Sequence, residues 1–138
     1  MTTTEQKERP ITKADLDGFS GDLDRYRHPL NPRVIYTPGV QYLAEQGKCY
    51  WLLDAIASYF GSRQMNQAMK RDDRVRWLQF WRLNVRDDSS ALLSARADSG
   101  VKPFITQEIQ YTDFPLDSVE IWAGFDGKLW TLYLPSEH

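Results

Sequence analysis

Residues 77–85 read WLQFWRLNV, and at this point the character of the chain changes. Downstream it falls into short runs rich in β-branched and aromatic residues: ALLSARA (91–97), FITQEIQYT (104–112), SVEIWA (118–123) and KLWTLYLP (128–135). Between them stand RDDSS, DSGVKP, DFPLD and GFDG, all turn-type sequences, so each run reads as a strand. Asp126-Gly127 is a strong hairpin signal. Connections this short force neighbouring strands to run antiparallel, which predicts a five-stranded antiparallel meander.

Upstream the punctuation is helical. Thr12 followed by Asp15 has the form of a capping box, and Leu16 and Phe19 lie three apart, which predicts a short helix. In DLDRYRHPLNPRVIY (22–36), Pro29 and Pro32 exclude a helix and predict an extended connector ending in Val34, Ile35 and Tyr36. Thr37 as cap, Pro38 at the first helical position and Gly47 past the end mark one helix. The next, over CYWLLDAIASYF (49–60), is stopped by Gly61. SRQMNQAMKRDDRVR (62–76) is polar and reads as a flexible loop with a helical turn around Gln64 to Met69. Residues 1–10 are polar and aperiodic and read as a mobile tail. The expected fold is α+β: N-terminal helices packed on one face of a five-stranded antiparallel sheet, forming a single domain over residues 11–138.

A chain of 138 residues supports one such domain, burying about two-thirds of its unfolded surface. Aromatic residues make up 13%, more than a disordered chain carries. The net charge of −2 gives no global attraction to nucleic acid or an acidic membrane. One cysteine cannot form an internal disulfide, which suits a reducing compartment. MTTTEQKERP has no apolar signal-peptide core, and no apolar run approaches the length of about 20 needed to span a bilayer. The expected setting is cytoplasmic, with no membrane partner.

Chemistry centres on Cys49. A cysteine at a helix start feels the macrodipole, which favours thiolate and would suit a small cysteine-dependent hydrolase or transferase. On a helical wheel, however, Leu52, Leu53, Ile56, Ala57 and Phe60 all fall within roughly 80° of it, and Asp54 falls about 140° away. That places the sulfur in the centre of an apolar stripe, where cysteine packs as a small hydrophobe. A nucleophile also needs a base in reach, and the chain has two histidines, His28 and His138. The expectation is a buried, non-catalytic cysteine, hence no catalytic residue.

His28, between Arg27 and Pro29, reads as a connector residue bonded to backbone, and is a candidate binding residue without a partner identifiable from spacing. One cysteine and two distant histidines leave no metal-ligand pair, and no phosphate-binding glycine motif occurs, so neither metal nor cofactor is expected. A second candidate surface runs through Arg63, Lys70, Arg71, Arg74, Arg76 and Arg82, interleaved with Trp77, Phe80 and Trp81. Basic residues beside aromatics can grip phosphates and stack on bases, although Asp72 and Asp73 sit inside the run.

GFSGDLDRYRHPLNPRVIYTPGVQYLAEQGKCYWLLDAIASY, LQFWRLNV, QEIQYTDFPLDSVEIW and LYLPSEH together resemble a family of small bacterial proteins classed as a domain of unknown function. Its members occur on chromosomes, plasmids and phages, and the resemblance covers about residues 18–60 and 78–138. It implies no catalytic residue. The chain departs from the family pattern in the longer, more basic loop after Gly61 and at ARADSGVK. By analogy with other mobile-element proteins, the resemblance implies an inhibitor of a host defence complex.

The leading expectation is therefore a non-enzymatic protein-binding domain, in its sharpest form an inhibitor of a host nuclease or CRISPR complex. Its partner would be a host protein or protein–nucleic-acid complex, with self-association as a further option. The alternatives are the cysteine-dependent hydrolase or transferase and a nucleic-acid-binding module centred on Arg71, Arg74, Arg76 and Arg82.

Overall fold

The computed structural model describes residues 11–20 and 24–138; the tail expected over residues 1–10 lies outside them. The chain is a mixed α+β fold, with helices first and most of the sheet second. Helix α1 (Lys13–Asp17) starts with the expected capping box: the Asp15 amide donates to Thr12 Oγ1 (3.2 Å) and the Thr12 amide to Asp15 Oδ2 (3.1 Å). Helix α2 (Pro38–Gln46) begins at Thr37, whose Oγ1 accepts from the Val40 amide, and ends at Gly47. A Cβ at Gly47 would sit 2.7 Å from the Leu43 carbonyl and 2.9 Å from the Phe114 ring, so the tight passage into the next helix requires glycine.

Helix α3 (Tyr50–Tyr59) follows, with Cys49 as its N-cap rather than a residue of its first turn. The polar stretch expected to be a flexible loop is helix α4 (Arg63–Arg71), capped by Ser62 Oγ accepting from the Met65 amide. Only Met65 and Ala68 of α4 are buried, three apart on one face, and that narrow stripe anchors an otherwise polar helix.

The sheet has seven strands, not five. In chain order these are β1 (Tyr26–Arg27), β2 (Val34–Tyr36), β3 (Leu78–Val85), β4 (Ala91–Arg96), β5 (Ile105–Ile109), β6 (Ser118–Phe125) and β7 (Trp130–Tyr133). The two extra strands come from the connector, which turns back at Asn31 to Arg33 as an antiparallel pair and adds to the β7 edge. β2 lies parallel to β7, with Val34 opposite Trp130 and Tyr36 opposite Leu132.

The spatial order is β1-β2-β7-β6-β3-β4-β5, so the expected meander is also corrected. β6 pairs with β3 rather than with β5. The segment between Ile109 and Ser118 has eight residues. Those reach up to roughly 26 Å when extended, against roughly 14 Å for three strand spacings. This connection crosses the end of the β3–β4 hairpin, where Thr112 N–H donates to the Ser89 carbonyl and Val85 N–H to the Asp117 carbonyl, both at 2.8 Å. It buries Thr112 and Phe114 on the way. The Asp126-Gly127 hairpin stands as read: Gly127 has φ +99°, and Asp126 Oδ1 accepts from the Lys128 and Leu129 amides.

Strand alternation sorts the sheet into two faces. Trp81, Leu83, Leu93, Ile105, Ile121 and Leu132 point inward and share one core with Val40, Leu43, Leu52, Leu53, Ile56 and Met65 of the helices. Phe80, Arg82, Arg96, Trp122 and Tyr133 point the other way and are half-buried. Among the described residues the α-helices leave the centre of that second face open: α1 reaches its rim, where Lys13 Nζ donates to Ser118 Oγ at 3.4 Å, and a short 3-10 turn (Pro135–Glu137) brings His138 onto Trp122 and Tyr133.

Candidate binding surfaces

The Cys49 sulfur is 0% exposed and donates to the Leu43 carbonyl at 3.5 Å. Burial pushes its thiol up to about 12, so it stays protonated through the physiological range. The packed-core expectation holds, although the residue caps the helix instead of sitting on its stripe. His28 and Asp54, once conceivable partners for that sulfur, bind each other: Nε2 of His28 lies 2.9 Å from Asp54 Oδ1. His28 Nδ1 accepts from the Leu30 and Asn31 amides at 3.2 and 3.0 Å. With two donors aimed at Nδ1, the neutral ring carries its proton on Nε2 and donates it to Asp54. Asn31 Nδ2 adds bonds to the Ala57 and Phe60 carbonyls at the end of α3. His28 is thus a buried staple between connector and helix, with no surface to offer a partner.

The basic run of residues 63–82 does not stay together. Arg74 forms a two-pronged pair with Asp72 (Nη2 to Oδ2, 2.8 Å), which lowers the Asp72 carboxyl and raises the guanidinium. Arg76 pairs with Asp73 at 3.3 Å. Trp81 is 0% exposed, its indole N–H donating to Gln79 Oε1 at 2.9 Å, and it leaves the set of contact candidates. Trp77 is 54% exposed. Arg63, Lys70 and Arg71 lie exposed on α4. Arg82 belongs to the open sheet face, bonded to Asn84 and Ser118 and 3.7 Å from Glu120.

Two surfaces result. On the open face, register sets Arg96, Phe80, Trp122 and Tyr133 side by side across β4, β3, β6 and β7. Trp122 meets Phe80 edge-on at 4.9 Å, and the His138 ring at 5.1 Å. Tyr133 Oη and His138 Nδ1 are 2.8 Å apart. Burial raises the Tyr133 phenol. Arg82, Glu120 and the Asp98–Gly100 turn border a trough of about 520 Å³ beside these rings. Trp122 Nε1 is out of solvent with no acceptor, the one such side-chain atom among the described residues. A strand register was needed to see this row; in the chain, Phe80 reads as an aromatic of the basic run and Trp122 only as a strand residue.

The second surface is a cleft of about 380 Å³ between α4 and the β6–β7 turn. Phe60, Trp130 and Phe125 form its apolar wall, Asn66 and Met69 its helical side, and Arg33 and Lys128 supply its charge. Phe125 also packs against Trp77 at 6.0 Å. No carboxylate lines it. Arg33 and Lys128 come from loops that the sequence reading left out of the basic region.

Among the described residues no three His, Cys, Asp or Glu side chains converge, and no helix is long and apolar enough to cross a membrane. No curated protein and no solved structure matches the chain. A family model does, over residues 10–138, and by that match the chain belongs to DUF6876, a family of unknown function.

Proposed function

We propose that the chain is a non-enzymatic binding domain that holds a protein partner against the open face of its sheet. The observation that carries this reading is the row Arg96–Phe80–Trp122–Tyr133 on a face without a helical layer. Trp, Tyr and Arg are the residues that most often anchor protein interfaces, and here they stand on strands, which hold them rigidly. Trp122 puts a half-buried indole at the centre of the row, packed between Phe80 and Tyr133. The protonated, enclosed Cys49 thiol argues against the hydrolase or transferase alternative. By analogy with small mobile-element proteins, the partner class is a host nuclease or CRISPR complex.

The test is capture of a purified candidate complex by the tagged protein, compared with Trp122→Ala and Arg82→Glu. Loss of capture in both, with unchanged circular dichroism, supports the face. Full capture by the double variant moves the contact elsewhere. Sedimentation of the protein alone separates self-association on this face from a foreign partner.

A further inference from the structure

We propose that the cleft between α4 and the β6–β7 turn binds single-stranded nucleic acid, its phosphates held by Arg33, Lys128, Arg63 and Lys70 and a base stacked on Trp77. Arg33 and Lys128 line the cleft directly. Arg63 and Lys70 lie three before and four after the cleft residue Asn66, which puts them on the same face of α4. Among the described residues none of these four cations has an ion pair, whereas Arg74, Arg76, Arg82 and Arg86 each face a carboxylate. The nearest acid in chain is Asp126, in the same turn as Lys128; it attracts that ammonium but spends its Oδ1 on two backbone amides. Asp72 and Asp73, past the end of α4, are committed to Arg74 and Arg76.

Arg33 is also held in place. Gly61 has φ +96°, and a Cβ there would collide with Arg33 Nη1, so the guanidinium rests directly on the turn between α3 and α4. The rings form a continuous series from the core outward: Phe60 to Trp130 (4.7 Å), Trp130 to Phe125 (5.0 Å), Phe125 to Trp77 (6.0 Å). The inner three are fixed by packing, and Trp77, 54% exposed, extends the series past the cleft wall. That pairing of stacking platform and unpaired cations is what single strands need, and a stacked base explains the exposed indole where an acidic protein surface does not. A net charge of −2 does not oppose it, because the carboxylates lie outside the cleft.

Fluorescence anisotropy of the full chain with labelled oligo(U) tests this. Four phosphate contacts on a single strand give a salt slope of about −3, hence about 50-fold weaker binding at 200 than at 50 mM salt. Lys70→Glu/Lys128→Glu removes two contacts, and the slope falls to about half. Neither ammonium has a hydrogen bond or ion pair in the described fold, so the variant stays folded by circular dichroism, its melting temperature lowered only by the new charges beside Asp126 and at the end of α4. Trp77→Ala weakens binding roughly tenfold at an unchanged slope, the signature of lost stacking. Trp122→Ala leaves oligonucleotide binding intact, which separates this site from the open sheet face. Undetectable binding at low salt overturns the proposal, as does a double variant that binds like wild type. So does poly-glutamate binding as tightly as oligo(U) while Trp77→Ala is silent; the cleft would then be a dock for acidic proteins.

Discussion

Trp81 and Trp122 stand on adjacent strands, one inside the sheet's packed face and one on its open face. Trp81 is fully enclosed against Tyr59 and Phe60, and its N–H is answered by Gln79. Gln79 is itself satisfied, its Nε2 donating to the Val75 carbonyl at 3.0 Å. Trp122 is half-buried among Phe80, Tyr133 and His138, and its N–H has no acceptor. The same residue type on the same sheet thus serves two ends. Trp81 sits in a finished network inside the core, whereas Trp122 keeps part of its ring on the open face, where the proposed contact lies.

The contrast can be broken by experiment. Trp81→Ala should cost about 4 kcal/mol of unfolding free energy, read as a lowered urea midpoint, because the surrounding rings cannot collapse into the space. Gln79→Leu should cost about 2 kcal/mol by leaving the buried Trp81 N–H and Val75 carbonyl unanswered. The same packed side predicts an alkaline limb. Cys49 is raised on folding, so the unfolded chain loses its thiol proton first, and stability falls as pH climbs from the ordinary thiol range toward about 12. By pH 10 that loss is about 1.5 kcal/mol, abolished in Cys49→Ala, and iodoacetamide should label the thiol only after denaturation. Trp122→Ala should change stability least, about 1 kcal/mol, while removing partner capture. A Trp122→Ala variant as unstable as Trp81→Ala would erase the distinction between the faces.

Local signals survived translation into structure. The caps at Thr12 and Thr37 and the turn at Asp126-Gly127 each act within four residues, and each is where composition put it. Burial of Cys49 was also legible, because the apolar side chains after it leave a sulfur nowhere else to go. Long-range choices were not. An eight-residue link between β5 and β6 permits either pairing, and nothing in YTDFPLD tells a meander from a crossing. β2 finds its parallel partner in β7, far along the chain, and its three residues carry no mark of that. Helix α4 hid behind polar residues since only Met65 and Ala68 turn inward. The cleft was the least legible feature: its charge comes from Arg33, α4 and Lys128, three segments that only the finished fold assembles.

The placement of β7 has a consequence for biosynthesis. Because it lies between β2 and β6, a strand made after the other six is the one that joins the early hairpin to the body of the sheet. Until it emerges, β2 presents an unpaired edge, and Thr37 and Gly39 at the start of α2 wait for the Glu137 carboxylate. The nascent chain therefore cannot complete this sheet vectorially, and truncation before Trp130 would leave the early hairpin and the body of the sheet unjoined.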